Sequence, residues 1–262
     1  MISLLVLVTG LLVGSFLNVC IHRLPIGESV VTPGSHCPKC GAPVRAWQNV
    51  PVLSWLFLRG RCASCRAPIS WRYPAVEALT GLAMLALWRA FGPTAAFPVA
   101  AVFTALLIVL FFTDYDHQLL PDRVTLLGFG FGLALAIVNP FLGDPGWKRL
   151  VASFAGAALG SGLLWGVGAL YSRLRGVEAM GFGDVKMMAM VGAFTGPAGV
   201  VVTLFGGSIV GAAFGLALIG IKGKSLRHAL PFGCFLAPAA LVALLWGHRA
   251  VAGYLAYIRL GP

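Results

Sequence analysis

The chain has 262 residues, of which 59% are hydrophobic and 10% are charged; its mean hydropathy is +0.90 and its formal net charge is +11. Soluble domains carry about 25% charged residues, so this composition excludes an ordinary soluble fold. Because the positive charges lie between long apolar runs, we interpret them as determinants of membrane topology and expect no binding of nucleic acid.

The apolar residues form segments, and a run of about 20 suffices to cross the hydrocarbon core of a bilayer. They predict an all-α polytopic membrane protein with about eight transmembrane helices, near residues 2–20, 75–91, 96–113, 124–142, 150–171, 184–196, 198–221 and 231–248. The sixth segment is short and is separated from the seventh by Gly196-Pro197. This is typical of a half-spanning helix that its neighbours shield from lipid.

The first segment has no basic residues before its apolar core, and its first positive charge, Arg23, follows it. A signal peptide has the opposite order, so we predict a membrane anchor, residues 1–21, with its N-terminus outside. With eight spans, 14 Lys and Arg residues then lie on one side and five on the other. The richer side is predicted to be cytoplasmic.

The largest loop, residues 22–74, is rich in Pro, Cys and Arg, and we predict a small irregular cytoplasmic module there; residues 75–262 form the remaining membrane domain. We identify no internal repeat. The loop contains two C-x-x-C pairs with 21 residues between them, formed by Cys37, Cys40, Cys62 and Cys65. Two such pairs predict a zinc site with four thiolate ligands and a structural role. Two disulfides are the alternative, which a reducing cytosol disfavours.

The other two cysteines, Cys20 and Cys234, lie inside apolar runs and are interpreted as packing residues. Metal binding could supply much of the folding free energy of the loop, because so short a segment has little apolar core of its own.

Four of the eight acidic residues lie in two short stretches at predicted cytoplasmic membrane edges: Asp114, Asp116 and Asp122 follow the third span, and Asp184 begins the sixth. Acidic side chains near lipid are costly and usually mark function. We interpret Asp122 as the cap of the fourth helix and Asp116 as a solvated side chain.

Asp114 and Asp184 are the candidate catalytic residues. Asp184 follows Gly181-Phe182-Gly183, whose glycines allow a substrate backbone to approach closely. Two carboxylates brought together can hydrolyse an amide, because one activates water while the other holds a proton and polarises the carbonyl. The helix dipoles at the two predicted helix ends favour Asp184 as the base and Asp114 as the acid.

Together these residues resemble the bacterial type IV prepilin peptidases, the bifunctional prepilin leader peptidase/N-methyltransferases. The resemblance covers nearly the whole chain in order. It is carried by residues 14–19 with Arg23-Leu24-Pro25, the two cysteine pairs, Arg72-Tyr73-Pro74 with Glu77, residues 114–122, Glu178 with residues 181–186, and Pro231-Phe232-Gly233. One departure is visible: the family often has glycine after each cysteine pair, and here Gly41 fits but Arg66 does not.

The resemblance implies a multi-pass enzyme of the bacterial inner membrane whose catalytic aspartates, Asp114 and Asp184, face the cytoplasm. Such an enzyme removes the basic leader of prepilins or pseudopilins after a glycine and methylates the new N-terminal amine with S-adenosylmethionine. The cysteine module and adjoining helix ends would carry the methyltransferase, with Gly60, Arg61 and Glu77 as candidate cofactor-binding residues. The alternatives are a solvated charge for Arg61 and an ion pair with Arg72 for Glu77.

Two other functions are compatible with carboxylates at a membrane. A proton-coupled transporter also uses membrane carboxylates, but these usually lie near the midplane within paired repeats. A peptidase without methyltransferase activity is the other, and the intact cysteine pairs argue against it.

Overall fold

The computed structural model describes residues 1–143, 145–176, 181–222 and 231–260. Within these ranges the chain is helical and has no strand. The α-helices are α1 (Ile2–Arg23), α2 (Leu53–Phe57), α3 (Arg72–Phe91), α4 (Ala96–His117), α5 (Asp122–Leu135), α6 (Trp147–Arg175), α7 (Phe182–Lys222) and α8 (Gly233–Leu260). Short 3-10 turns lie at Ala46–Asn49, Ala136–Val138 and Pro140–Leu142. The predicted all-helical class is confirmed for the described residues.

Among the described helices, five are long and apolar enough to cross a membrane: α1, α4, α6, α7 and α8. The helix α3 and the 14-residue helix α5 fall outside that group. At about 1.5 Å per residue, the 41-residue α7 would be roughly twice as long as the hydrocarbon core if it were straight. Its backbone is non-helical at Gly196, where φ is 67°. The structure thus supports a membrane protein, and the number of eight spans stays a prediction.

The chain divides into two compact units, Met1–Phe97 and Pro98–Pro262, here called the N-terminal unit and the C-terminal unit. In the N-terminal unit α1 packs along α3. A Cβ atom added at Gly10 would lie 2.9 Å from the Cα of Gly81, and one at Gly14 would lie 2.7 Å from the Cα of Glu77. Two glycines four residues apart therefore let the two helix backbones touch, as small residues do between membrane helices.

The C-terminal unit is organised around α7, against which α5, α6 and α8 pack. The backbones of α6 and α7 also touch. A Cβ atom added at Gly156 of α6 would collide with the carbonyl oxygen of Gly192. A Cβ atom added at Gly160 would lie 2.5 Å from the carbonyl oxygen of Met188. Close approach of this kind maximises van der Waals contact where lipid offers no hydrophobic driving force between helices. It also fixes the position of the first half of α7, which carries Asp184.

The break in α7 leaves carbonyl groups that buried side chains satisfy. Pro197 has no N–H to donate to the carbonyl four residues earlier, that of Ala193. The hydroxyl of Ser153 donates to this carbonyl instead, at 2.7 Å, and the amide of Asn139 donates to the next one, that of Phe194, at 2.8 Å. Both donors are completely buried. An unsatisfied carbonyl in an apolar layer costs several kcal/mol, so these two bonds stabilise the break that the sequence predicts.

Candidate active site and metal centre

Asp114 lies in the last turn of α4, and only 5% of the residue is exposed. Its Oδ2 accepts a hydrogen bond of 2.9 Å from the backbone N–H of Cys234, in the first turn of α8. A Cβ atom at Gly233 would lie 2.9 Å from the same oxygen, so only glycine leaves the carboxylate room to approach this helix end. The Cys234 thiol donates to the carbonyl of Phe111 at 3.3 Å. The buried start of α8 thus holds Asp114 in place.

Asp184 is half-buried in the first turn of α7. The side chain of Leu120 lies next to the glycines that adjoin the two aspartates. A Cβ atom added at Gly183, the residue before Asp184, would lie 3.1 Å from the Leu120 Cβ. One added at Gly233, beside Asp114, would lie 3.1 Å from the Leu120 Cδ2. The two carboxylates are close enough for the charge of Asp114 to act on Asp184. The structure therefore brings together the two aspartates that the sequence singled out, 70 positions apart (184 − 114).

The start of α8 bears on which aspartate is the acid and which is the base. That prediction compared the macrodipole at the C-terminal end of α4, beside Asp114, with the macrodipole at the N-terminal end of α7, beside Asp184. Asp114 also faces the N-terminal end of α8, a contact that the sequence did not predict. Asp114 therefore lies between the C-terminal end of α4 and the N-terminal end of α8, whose macrodipoles act on its carboxylate in opposite senses, whereas Asp184 lies at a helix N-terminus alone. The start of α8 thus reduces the predicted difference between the two carboxylates, and the assignment of acid and base stays a prediction.

The interpretation of Asp122 as a helix cap is wrong. Pro121 occupies the cap position of α5, and Asp122 is the first residue of the helix. Both carboxylate oxygens of Asp122 lie 2.7 Å from the Nζ of Lys186, which is also 5.1 Å from the centre of the Phe182 ring. The charged amine is a stronger partner than the helix amides, and the pair connects α5 to the turn of α7 that carries Asp184. Asp116 is exposed.

The four cysteines of the loop form one cluster. Among the described residues, the Sγ atoms of Cys37, Cys40, Cys62 and Cys65 all lie within 4.8 Å of one another, and no disulfide joins them. The Cys37 and Cys65 sulfurs are 3.8 Å apart. A tetrahedral Zn2+ with bonds of about 2.3 Å places its sulfur ligands about 3.8 Å from each other. The cluster therefore fits zinc, and four protein ligands leave no open position for catalysis.

Backbone amides prepare two of these thiols for metal binding. The amides of Cys40 and Lys39 lower the pKa of Cys37 to about 6, and the amide of Cys65 is the largest cause of a lowered pKa at Cys62. The thiolate, not the thiol, is the metal ligand. The turns thus favour the thiolate form at Cys37 and Cys62. At Cys40 the amide of Ala42 acts in the same sense, but hydrogen bonds with the other cysteines, Cys65 first, and desolvation raise the pKa to about 11.

The two cysteine turns are copies of one another, which corrects the expectation that the chain has no internal repeat. Residues 37–43 and 62–68 share the pattern C-x-x-C-x-A-P. In each turn the amide of the first cysteine donates to the alanine carbonyl, at 2.9 and 2.8 Å, and the proline pairs with the residue before that cysteine. Gly41 and Arg66 occupy equivalent positions with φ of 69° and 60°. The repeat is short, and only the alignment of the two cysteine pairs reveals it.

The three candidate cofactor residues lie in the N-terminal unit. Gly60 has φ of 63° and packs under Trp55, whose ring would lie 2.8 Å from an added Cβ atom. Arg61 is exposed. Glu77 is 8% exposed, and its Oε2 accepts a hydrogen bond of 2.7 Å from the N–H of Val52, the residue before α2. The helix α2 therefore connects Glu77 to Gly60. Glu178, which contributed to the resemblance, lies outside the described residues.

Comparison with known proteins gives matches over most of the chain. Residues 8–91 match the bacterial peptidase A24 N-terminal domain, and residues 101–216 match the type IV leader peptidase family. Three similar proteins are named prepilin leader peptidase/N-methyltransferase. The one from Stutzerimonas stutzeri is 39% identical over 97% of this chain and 94% of the relative, and the one from Aeromonas hydrophila is 38% identical over 96% of this chain and 93% of the relative. The one from Pseudomonas putida is 40% identical over 94% of this chain and 91% of the relative. No solved structure matches.

Proposed function

The chain belongs to the type IV leader peptidase family, and from this we propose that it cleaves the basic leader peptide from prepilins or pseudopilins and methylates the new N-terminal amine. The observation that carries the peptidase is the pairing of Asp114 with Asp184 beside the buried start of α8. The proposed location is the bacterial inner membrane, with eight spans and the aspartates at the cytoplasmic face.

The proposed hydrolysis needs one proton shared by the two carboxylates. The ionised carboxylate removes a proton from water, and the resulting hydroxide attacks the scissile carbonyl carbon. The protonated carboxylate donates its proton to the carbonyl oxygen, which gives a tetrahedral diol. As this diol collapses, the C–N bond breaks and the leaving nitrogen takes the proton that the first carboxylate removed from water. The other carboxylate recovers its proton from a hydroxyl of the diol, so the pair again shares one proton. Because both aspartates are held at helix starts, little reorganisation accompanies this charge movement.

The glycines before Asp184 support access of a peptide. The nearest atom to a Cβ added at Gly181 is the Oδ2 of Asp184 itself, 3.9 Å away, and Gly181 is exposed. An extended substrate backbone can therefore come close to the carboxylate at this position. Burial of Asp114 on the other side shields this carboxylate from bulk water, which strengthens its electrostatic contact with the reacting carbonyl.

The proposed second activity belongs to the N-terminal unit. Zn2+ bound by the four cysteines would hold the two turns together and leave no site for a substrate. S-adenosylmethionine, when bound, supplies an electrophilic methyl group for the new N-terminal amine. Gly60, Arg61 and Glu77 are the residues that the family resemblance associates with this cofactor. The connection of Glu77 to Gly60 through α2 supports a common structural role for these two residues.

One experiment tests both activities at once. The purified full-length enzyme is incubated with a leader-bearing prepilin and S-adenosylmethionine, and the products are analysed by mass spectrometry. We expect loss of the leader and a gain of one methyl group on the mature N-terminus. Cleavage without methylation would contradict the proposed methyltransferase activity, and an intact prepilin would contradict the proposed peptidase activity.

A further inference from the structure

The short helix α2 presents an apolar surface in the N-terminal unit. Leu53, Leu56 and Phe57 lie on one face of the helix, at spacings of three and four residues. More than half of each residue is exposed, and Phe57 is 81% exposed. Another side chain of the helix is bonded to the rest of the loop, because the Trp55 indole donates to the carbonyl of Ile69 at 3.1 Å. The loop thus holds α2 with the three apolar side chains exposed.

The level of α2 along the neighbouring long helices follows from one hydrogen bond. The N–H of Val52, the residue before α2, donates to the Oε2 of Glu77 at 2.7 Å. Glu77 is the sixth residue of α3, about 7.5 Å from its start at about 1.5 Å per residue. It packs against Gly14, which is nine residues before the end of α1. The start of α2 therefore lies beside the pair of α1 and α3 and not beyond its end.

That level corresponds to the edge of the membrane. The helix α1 is long and apolar enough to cross a bilayer. Trp71, which is exposed, and Arg72 lie at the start of α3, and both residue types are typical of the interface between lipid and water. Helices that lie on membranes bury their apolar face about 5–10 Å into this interface. The start of α2 is bonded to a residue about 7.5 Å inside α3, which lies within that range.

The charge of the surrounding loop suits a phospholipid surface. Residues 29–76 contain no Asp or Glu and six basic residues, which are Lys39, Arg45, Arg59, Arg61, Arg66 and Arg72. Arg59 and Arg61 follow α2 within four residues, and both are exposed. Basic residues beside an apolar helix face attract the phosphate groups of lipids, whereas they would repel the basic leader of the proposed substrate. Charge therefore favours lipid as the partner of this surface.

We propose that α2 is an interfacial membrane anchor. Leu53, Leu56 and Phe57 insert among the lipid acyl chains, and Arg59 and Arg61 contact the phosphate groups. The partner is the bilayer that α1 crosses, so the inference depends on that crossing and on neither proposed activity. The loop is then held to the lipid at its middle, between the two cysteine turns.

The test is photo-crosslinking of the full-length enzyme in nanodiscs of phosphatidylethanolamine and phosphatidylglycerol. The photoreactive residue p-benzoylphenylalanine replaces Phe57 in one protein, Leu12 of α1 in a second and Ser64 in a third, and lipid adducts are measured by mass spectrometry. Leu12 is exposed on a candidate span, and Ser64 is exposed in the second cysteine turn. We expect the lipid adduct at Phe57 to approach that at Leu12, and the adduct at Ser64 to stay at the level of a sample kept in the dark.

A second measurement places the photoreactive residue at Leu53. Phe57→Asp should then reduce the lipid adduct, because a charge at this position opposes insertion. Ser64→Asp adds the same charge to the cysteine turn, and this matched control should leave the adduct unchanged. Equal adducts in the two variants would contradict insertion. Thermal unfolding in the same nanodiscs reports whether each protein is folded, and the adduct at Leu53 with Phe57 unchanged decides the question if the proteins altered at Phe57 are not.

Three further results would overturn the proposal. If Phe57 gives no more lipid adduct than Ser64 while Leu12 gives one, α2 lies in water. If Phe57 instead gives an adduct of twice the mass of the chain, the apolar face is an interface between two copies of the enzyme. If Leu12 also gives no lipid adduct, α1 does not cross the membrane, and the proposed membrane location fails together with this inference.

Discussion

The two units hold their reactive groups by different physical means. In the N-terminal unit the four thiols lie in an irregular loop, which has little apolar core, and a bound metal would join its two turns. In the C-terminal unit the two carboxylates lie at the ends of long apolar helices whose glycines permit backbone contact. With zinc bound, the first arrangement would depend on a ligand, whereas the second depends on packing. Perturbations of metal and of packing should therefore separate the two proposed activities.

The largest effect is expected from Asp114→Asn and Asp184→Asn. Each replaces a carboxylate that the proposed hydrolysis requires, so leader cleavage should fall by about 10³-fold or more, while zinc content stays at the wild-type value. A gel-based cleavage assay on purified variants measures this. Asp116→Asn is the control, because Asp116 is exposed, and it should be much milder. An inactive Asp116 variant together with an active Asp114 variant would move the assignment by two residues.

Loss of the metal should have the next largest effect and should be selective. Cys37→Ser or Cys62→Ser removes one ligand, and structural zinc contributes about 10–16 kcal/mol to folding in small zinc modules. We expect about one zinc per wild-type chain, loss of that zinc in the variants, and a greater loss of methylation than of cleavage. Elemental analysis and the two-product mass spectrometry assay measure these values. Equal loss of both activities would show that the distinction between the units is wrong.

Gly233→Ala should perturb packing without touching the metal. The added Cβ atom would lie 2.9 Å from the Oδ2 of Asp114 and must displace the carboxylate or the start of α8. A shift of about 1 Å at a catalytic group can cost about 100-fold, so we expect cleavage to fall by about 10- to 100-fold. Gly130→Ala, where the added atom meets nothing within 4 Å, is the matched control and should cleave normally. If both variants are equally active, Asp114 does not depend on this contact.

The smallest effect should come from Arg66→Gly. Arg66 has φ of 60° at the position equivalent to Gly41, and this conformation costs a residue with a side chain about 1–2 kcal/mol. The greater freedom of glycine in the unfolded chain offsets about 0.4–1 kcal/mol of the gain. The variant should retain zinc against a chelator about two- to fivefold better than the wild type. Gly41→Ala should shift zinc retention in the opposite direction, and a shift in the same direction would contradict the strain argument.

The sequence predicted local features well because each has a local cause. Hydrophobic runs located the helices, and Gly196-Pro197 marked the break in α7, since proline cannot continue the hydrogen-bond ladder. The spacing of the four cysteines predicted their convergence. The pairing of Asp114 with Asp184 is not local, and it was predicted from their placement at predicted membrane edges and from the family resemblance.

The features that the sequence did not predict all depend on which helices meet. The bond from Cys234 to Asp114 joins residues 120 positions apart, and the pair of Lys186 with Asp122 joins residues 64 apart. Apolar patterning identifies membrane helices but does not say which of them are neighbours, because lipid-facing and helix-facing residues are equally apolar. For the same reason the sequence did not predict that the side chain of Asn139 bonds to the carbonyl of Phe194, 55 residues away.

The break in α7 also bears on how the chain enters the membrane during synthesis. The segment from Phe182 to Gly196 is shorter than a full span and ends in carbonyl groups that lipid cannot satisfy. The side chains that satisfy them, Asn139 and Ser153, precede this segment in the chain and are translated before it. Its partners can thus already be at the translocon when it emerges. The first half of α7 would then insert against existing protein, and its apolar residues alone would not have to drive its entry into lipid.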